Sequence, residues 1–153
     1  MKRLWRRLGI IAFWLLWPAL VVYMNRSERA RILVVCGDDV LVLKSWLGTG
    51  EWGIPGGGLH KGELPIDGAL REVREETGLK LEKLQLYELS SAPYASRGFR
   101  YPCHYFVAVL NHKPAIKTQR LEITEQAWID RRKFTAKNSY PDTLTTVAAW
   151  FAS

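Results

Sequence analysis

Residues 8–24, from Leu8 to Met24, run without a single charge, and no other stretch constrains the chain as strongly. In an apolar surrounding the backbone groups must bond to one another, so such a run folds as a helix. At 1.5 Å per residue it rises about 25 Å, the short end of what crosses a hydrocarbon core. Trp5 and Tyr23 stand at its ends, where amphipathic rings favour the headgroup level. Pro18 predicts a kink of the kind that membrane helices tolerate. Lys2, Arg3, Arg6 and Arg7 precede the run, and Arg26, Arg29 and Arg31 follow it. A cleaved signal peptide needs a small-x-small site, which Pro18–Met24 does not offer, and an interfacial helix needs a polar face. A buried core helix stays open, although cations on both sides fit it badly. Residues 1–27 are therefore expected to form a single-pass membrane anchor with the lipid bilayer as its partner. The basic residues are divided too evenly across the span to set its orientation.

The same cations account for the charge of the whole chain. Of 22 basic and 15 acidic residues, seven basic and one acidic fall within residues 1–31, so the net +7 shrinks to +1 for the rest. A nearly neutral globular part offers no phosphate-tracking surface, and no nucleic-acid partner is expected. With 48% hydrophobic and 24% charged residues in a chain of 153, the remainder forms one folded domain, residues 28–153. Cys36 and Cys103 lie in no metal or redox pair and read as small buried hydrophobes.

Within that domain, Ile32–Cys36 and Val40–Trp46 read as a hairpin across Gly37-Asp38-Asp39, and Leu47–Lys61 as a glycine-rich loop. A helix follows, with Pro65 in its first turn and Gly78 past its end, burying Ile66, Leu70, Val73 and Thr77. Leu64 is a poor cap for it. Leu81–Ser91, Tyr101–Leu110 and Glu122–Ile129 read as strands, Ser90–Arg100 as a loop, and Tyr140–Phe151 as a closing helix. Strands interleaved with helices predict a layered α/β fold.

The carboxylates give this pattern its chemistry. Glu72, Glu75 and Glu76 stand at i, i+3 and i+4 and crowd one patch of the helix, where like charges repel unless neutralised. Three such carboxylates on a rigid element suit a hard divalent cation. Gly56-Gly57-Gly58 just upstream lets backbone approach a metal or a phosphate, and Glu63 adds a further acid. Taken alone, the charged run also fits a solvated helix face.

Gly57, Glu63, Arg71, Glu72, Val73, Glu75, Glu76, Gly78 and Leu79 stand at the spacings of the Nudix box, with Trp52-Gly53-Ile54-Pro55-Gly56 as lead-in. The chain from about residue 30 onward thus resembles the Nudix hydrolases. The resemblance implies an α/β/α sandwich with a mixed β-sheet, preceded here by the single hydrophobic helix. It also implies a pyrophosphohydrolase acting on a nucleoside diphosphate linked to another moiety, with Mg²⁺ or Mn²⁺ as cofactor. Carried over, Glu72, Glu75, Glu76, the Gly56 carbonyl and Glu63 would hold metal, and Arg71 would orient the glutamates. The general base varies within the family; Glu75 is the candidate inside the box, and Glu125, with Glu122, outside it. Gly57 and Gly58 are expected at the substrate, and Arg97 and Arg100 are candidates to grip a phosphate. A lipid-linked or prenyl diphosphate as substrate, or a non-catalytic binding module, remain the alternatives. Trp46, Tyr94, Phe99, Tyr101 and Tyr105 read as core aromatics in preference to stacking platforms.

Overall fold

The central strand, β1 (Arg29–Cys36), is buried on both faces in the computed structural model, which describes residues 2–117 and 122–152. Alternation sends Leu33 and Val35 to one side and Ala30, Ile32 and Val34 to the other. One edge of β1 runs parallel to β5 (Phe99–Val109). Its other edge is shared: the end, Val35 and Cys36, turns into the hairpin partner β2 (Asp39–Ser45), while the start, Arg29–Arg31, pairs with the short β3 (Gly56–Gly58). β4 (Leu86–Ser96) and β6 (Ile123–Asp130) complete a mixed sheet in the order β4-β5-β1-β2-β6.

Helices cover both faces, giving the expected α/β/α sandwich. On one face α2 (Pro65–Thr77) buries Ala69 and Val73 against Ile32, Val34, Leu41 and Phe106. Ile66 and Leu70 pack from its margin. Pro65 begins this helix, and Gly78, at φ 75°, ends it by donating its N–H to the Arg74 carbonyl. On the opposite face, α3 (Pro141–Ala152) inserts Val147, and α1 (Lys2–Met24) inserts Phe13. Cys103 is buried and Cys36 half-buried, both as free thiols.

Two boundaries differ from the sequence expectation. The strand expected at Leu81–Ser91 begins only at Leu86, because Glu82 and Gln85 form a reciprocal capping box that closes a 3₁₀ turn first. The expected loop at Ser90–Arg100 is a hairpin ladder instead, paired from Leu86↔Ala108 to Ser96↔Phe99 with a register shift between Glu88 and Ser90 and a turn at Arg97-Gly98.

α1 carries two opposed apolar stripes. Phe13, Trp17, Leu20 and Met24 face the domain, while Leu4, Leu8, Ile11, Leu15 and Val22 are exposed on the other side. Its segment Arg7–Met24 is long and apolar enough to cross a membrane, yet docking runs nearly its full length. Trp5 stacks on Trp46 at 5.0 Å, Trp17 Nε1 donates to the Arg97 carbonyl at 3.2 Å, and the Asn25 amide just beyond it donates to the Gly98 carbonyl at 3.1 Å.

Candidate active site

Helix α2 places its carboxylates by how close each comes to the glycine strand beside it. Glu72 is buried directly against β3; a Cβ added to Gly57 would lie 2.5 Å from its carboxyl carbon, so only glycine admits that approach. Glu76, one turn further on, accepts a bond from the Gly56 N–H at 3.0 Å. Gly56 itself has φ 146°, and a side chain there would run into the backbone of Ala30 and Arg31. Burial pushes the Glu76 carboxyl up to about 7, and the Glu72 charge adds to this against the opposing Gly56 bond.

Arg71 ties the arrangement together. Its Nε and Nη2 donate to the two oxygens of Glu63, each at 2.8 Å, Nη1 donates to Glu72 at 2.7 Å, and Nη2 also reaches the Gly58 carbonyl at 3.0 Å. The bidentate fork holds the Glu63 carboxyl down at about 2, helped by the His60 N–H at 2.8 Å. Glu75 lies 3.8 Å from Arg71 on the more open flank. Among the described residues no three acidic groups already surround a common point. The donors nevertheless fit a hard divalent cation: two buried carboxylates face glycine backbone, and one of them is held near neutral pH by its lack of solvation.

A cavity of about 680 Å³ opens over this corner. Glu72, Glu76, Gly56, Gly57 and Gly58 line its floor, and Arg29 and Arg31 of β1 enter from the side. Arg31 is anchored by Asp142 of α3 at 3.0 Å and by the Ile54 carbonyl at 3.2 Å. Arg29 is stacked over the Tyr101 ring at 5.5 Å, and its buried Nε has no hydrogen-bond partner among the described residues. Burial lowers the pKa of Arg29, with the nearby Arg31 charge adding to the effect.

The remaining expected residues are spread around this centre. Arg97 reaches the cavity from the β4–β5 turn, where it holds Glu51 through two bonds of 2.6 and 3.0 Å. Arg100 is exposed on β5 outside the cavity wall, its backbone N–H bonded to the Asn25 side chain at 2.6 Å. Glu125 stands on β6, 3.4 Å from Lys44, whereas Glu122 lines the cavity.

A family model for the NUDIX domain matches residues 26–151. The chain belongs to the Nudix family. Nudix hydrolase 10 of Arabidopsis thaliana is 29% identical over 123 residues, covering 78% of this chain and 44% of that protein. An RNA pyrophosphohydrolase of Bartonella clarridgeiae is 39% identical over 71 residues, 45% of this chain and 37% of its own length. The chain thus spans less than half of the curated Nudix relatives it matches. In fold it resembles the NUDIX domain of Shewanella oneidensis NrtR, solved with ADP ribose, with TM-score 0.70, 16% identity and coverage of 84% and 88%. A Caenorhabditis elegans Ap4A hydrolase gives TM-score 0.66 at 21% identity, covering 82% of this chain and 96% of that one.

Sequence reasoning missed Arg29 and Arg31 in this Nudix site. Both were assigned to the cationic flank of the apolar run, although the alternation Arg29, Arg31, Leu33, Val35 was the available signal that they share one strand face.

Proposed function

We propose that this Nudix chain is a divalent-metal-dependent hydrolase of a phosphoric anhydride in a nucleoside diphosphate linked to another moiety, held at a membrane by residues 1–27. One observation carries the reading: Arg71 binds Glu63, Glu72 and the Gly58 carbonyl at once, and so fixes the carboxylate helix against the glycine strand at the floor of a cavity. Glu72, Glu75, Glu76 and the Gly56 carbonyl would hold Mg²⁺ or Mn²⁺, with Glu63 supporting them through Arg71. When bound, the cation neutralises diphosphate charge and lowers the pKa of an attacking water.

The protein groups divide the remaining work. Arg29 would bring its guanidinium charge to a substrate phosphate from the cavity wall, and Gly57 and Gly58, which have no side chains, leave room for close approach of its oxygens. Arg97 adds positive charge at the far side, while Arg100 points to no such role from its place outside the wall. Glu75 in the box is the first candidate for the base, and Glu122 is better placed than Glu125 among those outside it. The same reaction class appears in the names of relatives, among them an Ap4A hydrolase and RNA pyrophosphohydrolases. α1 supports the tether by its exposed apolar stripe.

The test is product analysis on ADP-ribose, diadenosine tetraphosphate and nucleoside triphosphates, with and without Mg²⁺. Glu75→Gln is expected to cut turnover at least a hundredfold with its circular dichroism unchanged. Wild-type turnover in that variant removes Glu75 from the site.

A further inference from the structure

We propose that the moiety joined to the diphosphate is an apolar chain, which lies on the inner stripe of α1 while the outer stripe of that helix rests in a bilayer. The proposal deepens the hydrolase reading above and rests on it. The cavity that holds Glu72 and Arg29 is the same one that Phe13, Leu20 and Met24 of α1 line. β5 connects the two ends. Phe99, Tyr101 and Cys103 alternate onto one face; Phe13 meets the Phe99 ring at 6.3 Å, Arg29 covers the Tyr101 ring, and Arg29 is in register with Cys103. Phe99 and Cys103 are four residue steps apart along the strand, about 13 Å. A ligand filling this length is therefore anionic at one end and meets hydrocarbon at the other.

A sugar or base is poorly served at the α1 end. The α1 side chains there are Phe13, Leu20, Tyr23 and Met24, of which only Tyr23 carries a polar atom, and helical backbone groups bond to one another, so most buried hydroxyls or amides would lose their water without replacement. Arg97, which also lines the cavity, is already held by Glu51. A hydrocarbon chain loses nothing by the exchange.

The outer surface of α1 explains how such a chain arrives. Leu4, Leu8, Ile11, Leu15 and Val22 form a continuous exposed stripe, with exposed Trp5 and Arg7 near one end and Tyr23 and Arg26 near the other. Aromatic and long cationic side chains favour the headgroup level. While the contacts from Trp5 to Asn25 persist, the helix is held along the domain, so this stripe meets lipid lengthwise and sets the cavity beside the interface. Its inner face is made non-lipidic by protein rather than by polar residues of its own, which is why the sequence alone argued against an interfacial helix.

The experiment uses the full chain in lipid nanodiscs with Mg²⁺ and two substrates that differ only in their chains, CDP-dioleoylglycerol and CDP-glycerol. Water adds across the P–O–P bond, giving CMP and the corresponding phosphate monoester in both cases. Farnesyl and dimethylallyl diphosphate repeat the comparison without a nucleoside. We expect kcat/KM to favour the longer chain at least tenfold in one or both pairs. Leu20→Asn and Met24→Asn should bring that preference ratio to within threefold of unity, chiefly through a higher KM for the longer substrate. Equal or better cleavage of the short substrates in both pairs overturns the proposal and leaves the hydrolase reading standing. No cleavage of these four while ADP-ribose or diadenosine tetraphosphate is hydrolysed overturns the proposal alone, and no cleavage of any of the six removes both.

Discussion

Glu63 and Glu76 are carboxylates on opposite sides of Arg71, and their surroundings drive them apart. The Arg71 fork holds Glu63 at about 2, below its ordinary 4.5; the stabilisation this brings is present above pH 4.5 and is lost as pH falls through about 2. Glu76 behaves in the reverse sense. Burial raises it from 4.5 to about 7, so in metal-free protein its favourable protonated form is fully kept below pH 4.5 and stability falls as pH rises toward 7. A shift of that size corresponds to about 3 kcal/mol. We expect metal-free protein to resist urea better at pH 5 than at pH 8, a difference that Glu76→Gln should largely remove, and Mg²⁺ to restore stability at pH 8. An unchanged pH slope in Glu76→Gln would show that other groups set it. The carboxylates were legible because helical periodicity alone brings Glu72, Glu75 and Glu76 to one patch. Arg29 and Arg31 were not, since a count of charges along the chain cannot tell a solvated flank from the first residues of a buried strand.

At the level of elements, what was readable followed from local rules, and what was missed required a partner. The β1–β2 hairpin and α2 are specified by their own turns and caps, Gly37 at φ 58° and Gly78 at φ 75°. The far half of β4, Ser90–Ser96, reads as loop because it is polar and carries Pro93; it becomes strand only by pairing with β5, where Pro93 lies opposite Pro102. That pairing has a consequence for α1, which docks on the turn it creates. Gly98 has φ 84°, and a Cβ there would approach Trp17 Cζ2 to 3.1 Å. Gly98→Ala combines an unfavourable backbone angle with pressure on Trp17, and about 1–2 kcal/mol of destabilisation is expected. In a chain of this size that lowers Tm by roughly 3–6 °C. Red-shifted tryptophan emission before the main transition would show α1 leaving first, whereas an unshifted Tm would mean that the turn relaxes without cost.

For the molecule as a whole, the question is whether α1 belongs to the membrane or to the domain, and its two stripes are the ground for the proposal that it serves both. The sheet, α2 and most of the aliphatic core come from residues after 28, so a fragment of residues 28–153 should fold and keep its far-ultraviolet circular dichroism. Removing α1 strips Phe13, Leu20 and Met24 from one wall of the cavity, lifts Trp17 from the β4–β5 turn, and uncovers Phe99 and Trp46. Such an apolar patch attracts dyes and other copies of the fragment. We therefore expect the full chain to float with liposomes in a density gradient, the fragment to remain with soluble protein, and the fragment alone to bind 1-anilinonaphthalene-8-sulfonate strongly. Flotation of the fragment as well would place the lipid contact elsewhere on the domain. An unfolded fragment would mean that α1 supplies core that the sheet cannot do without, and the apolar run would then be a structural helix first and a membrane element second.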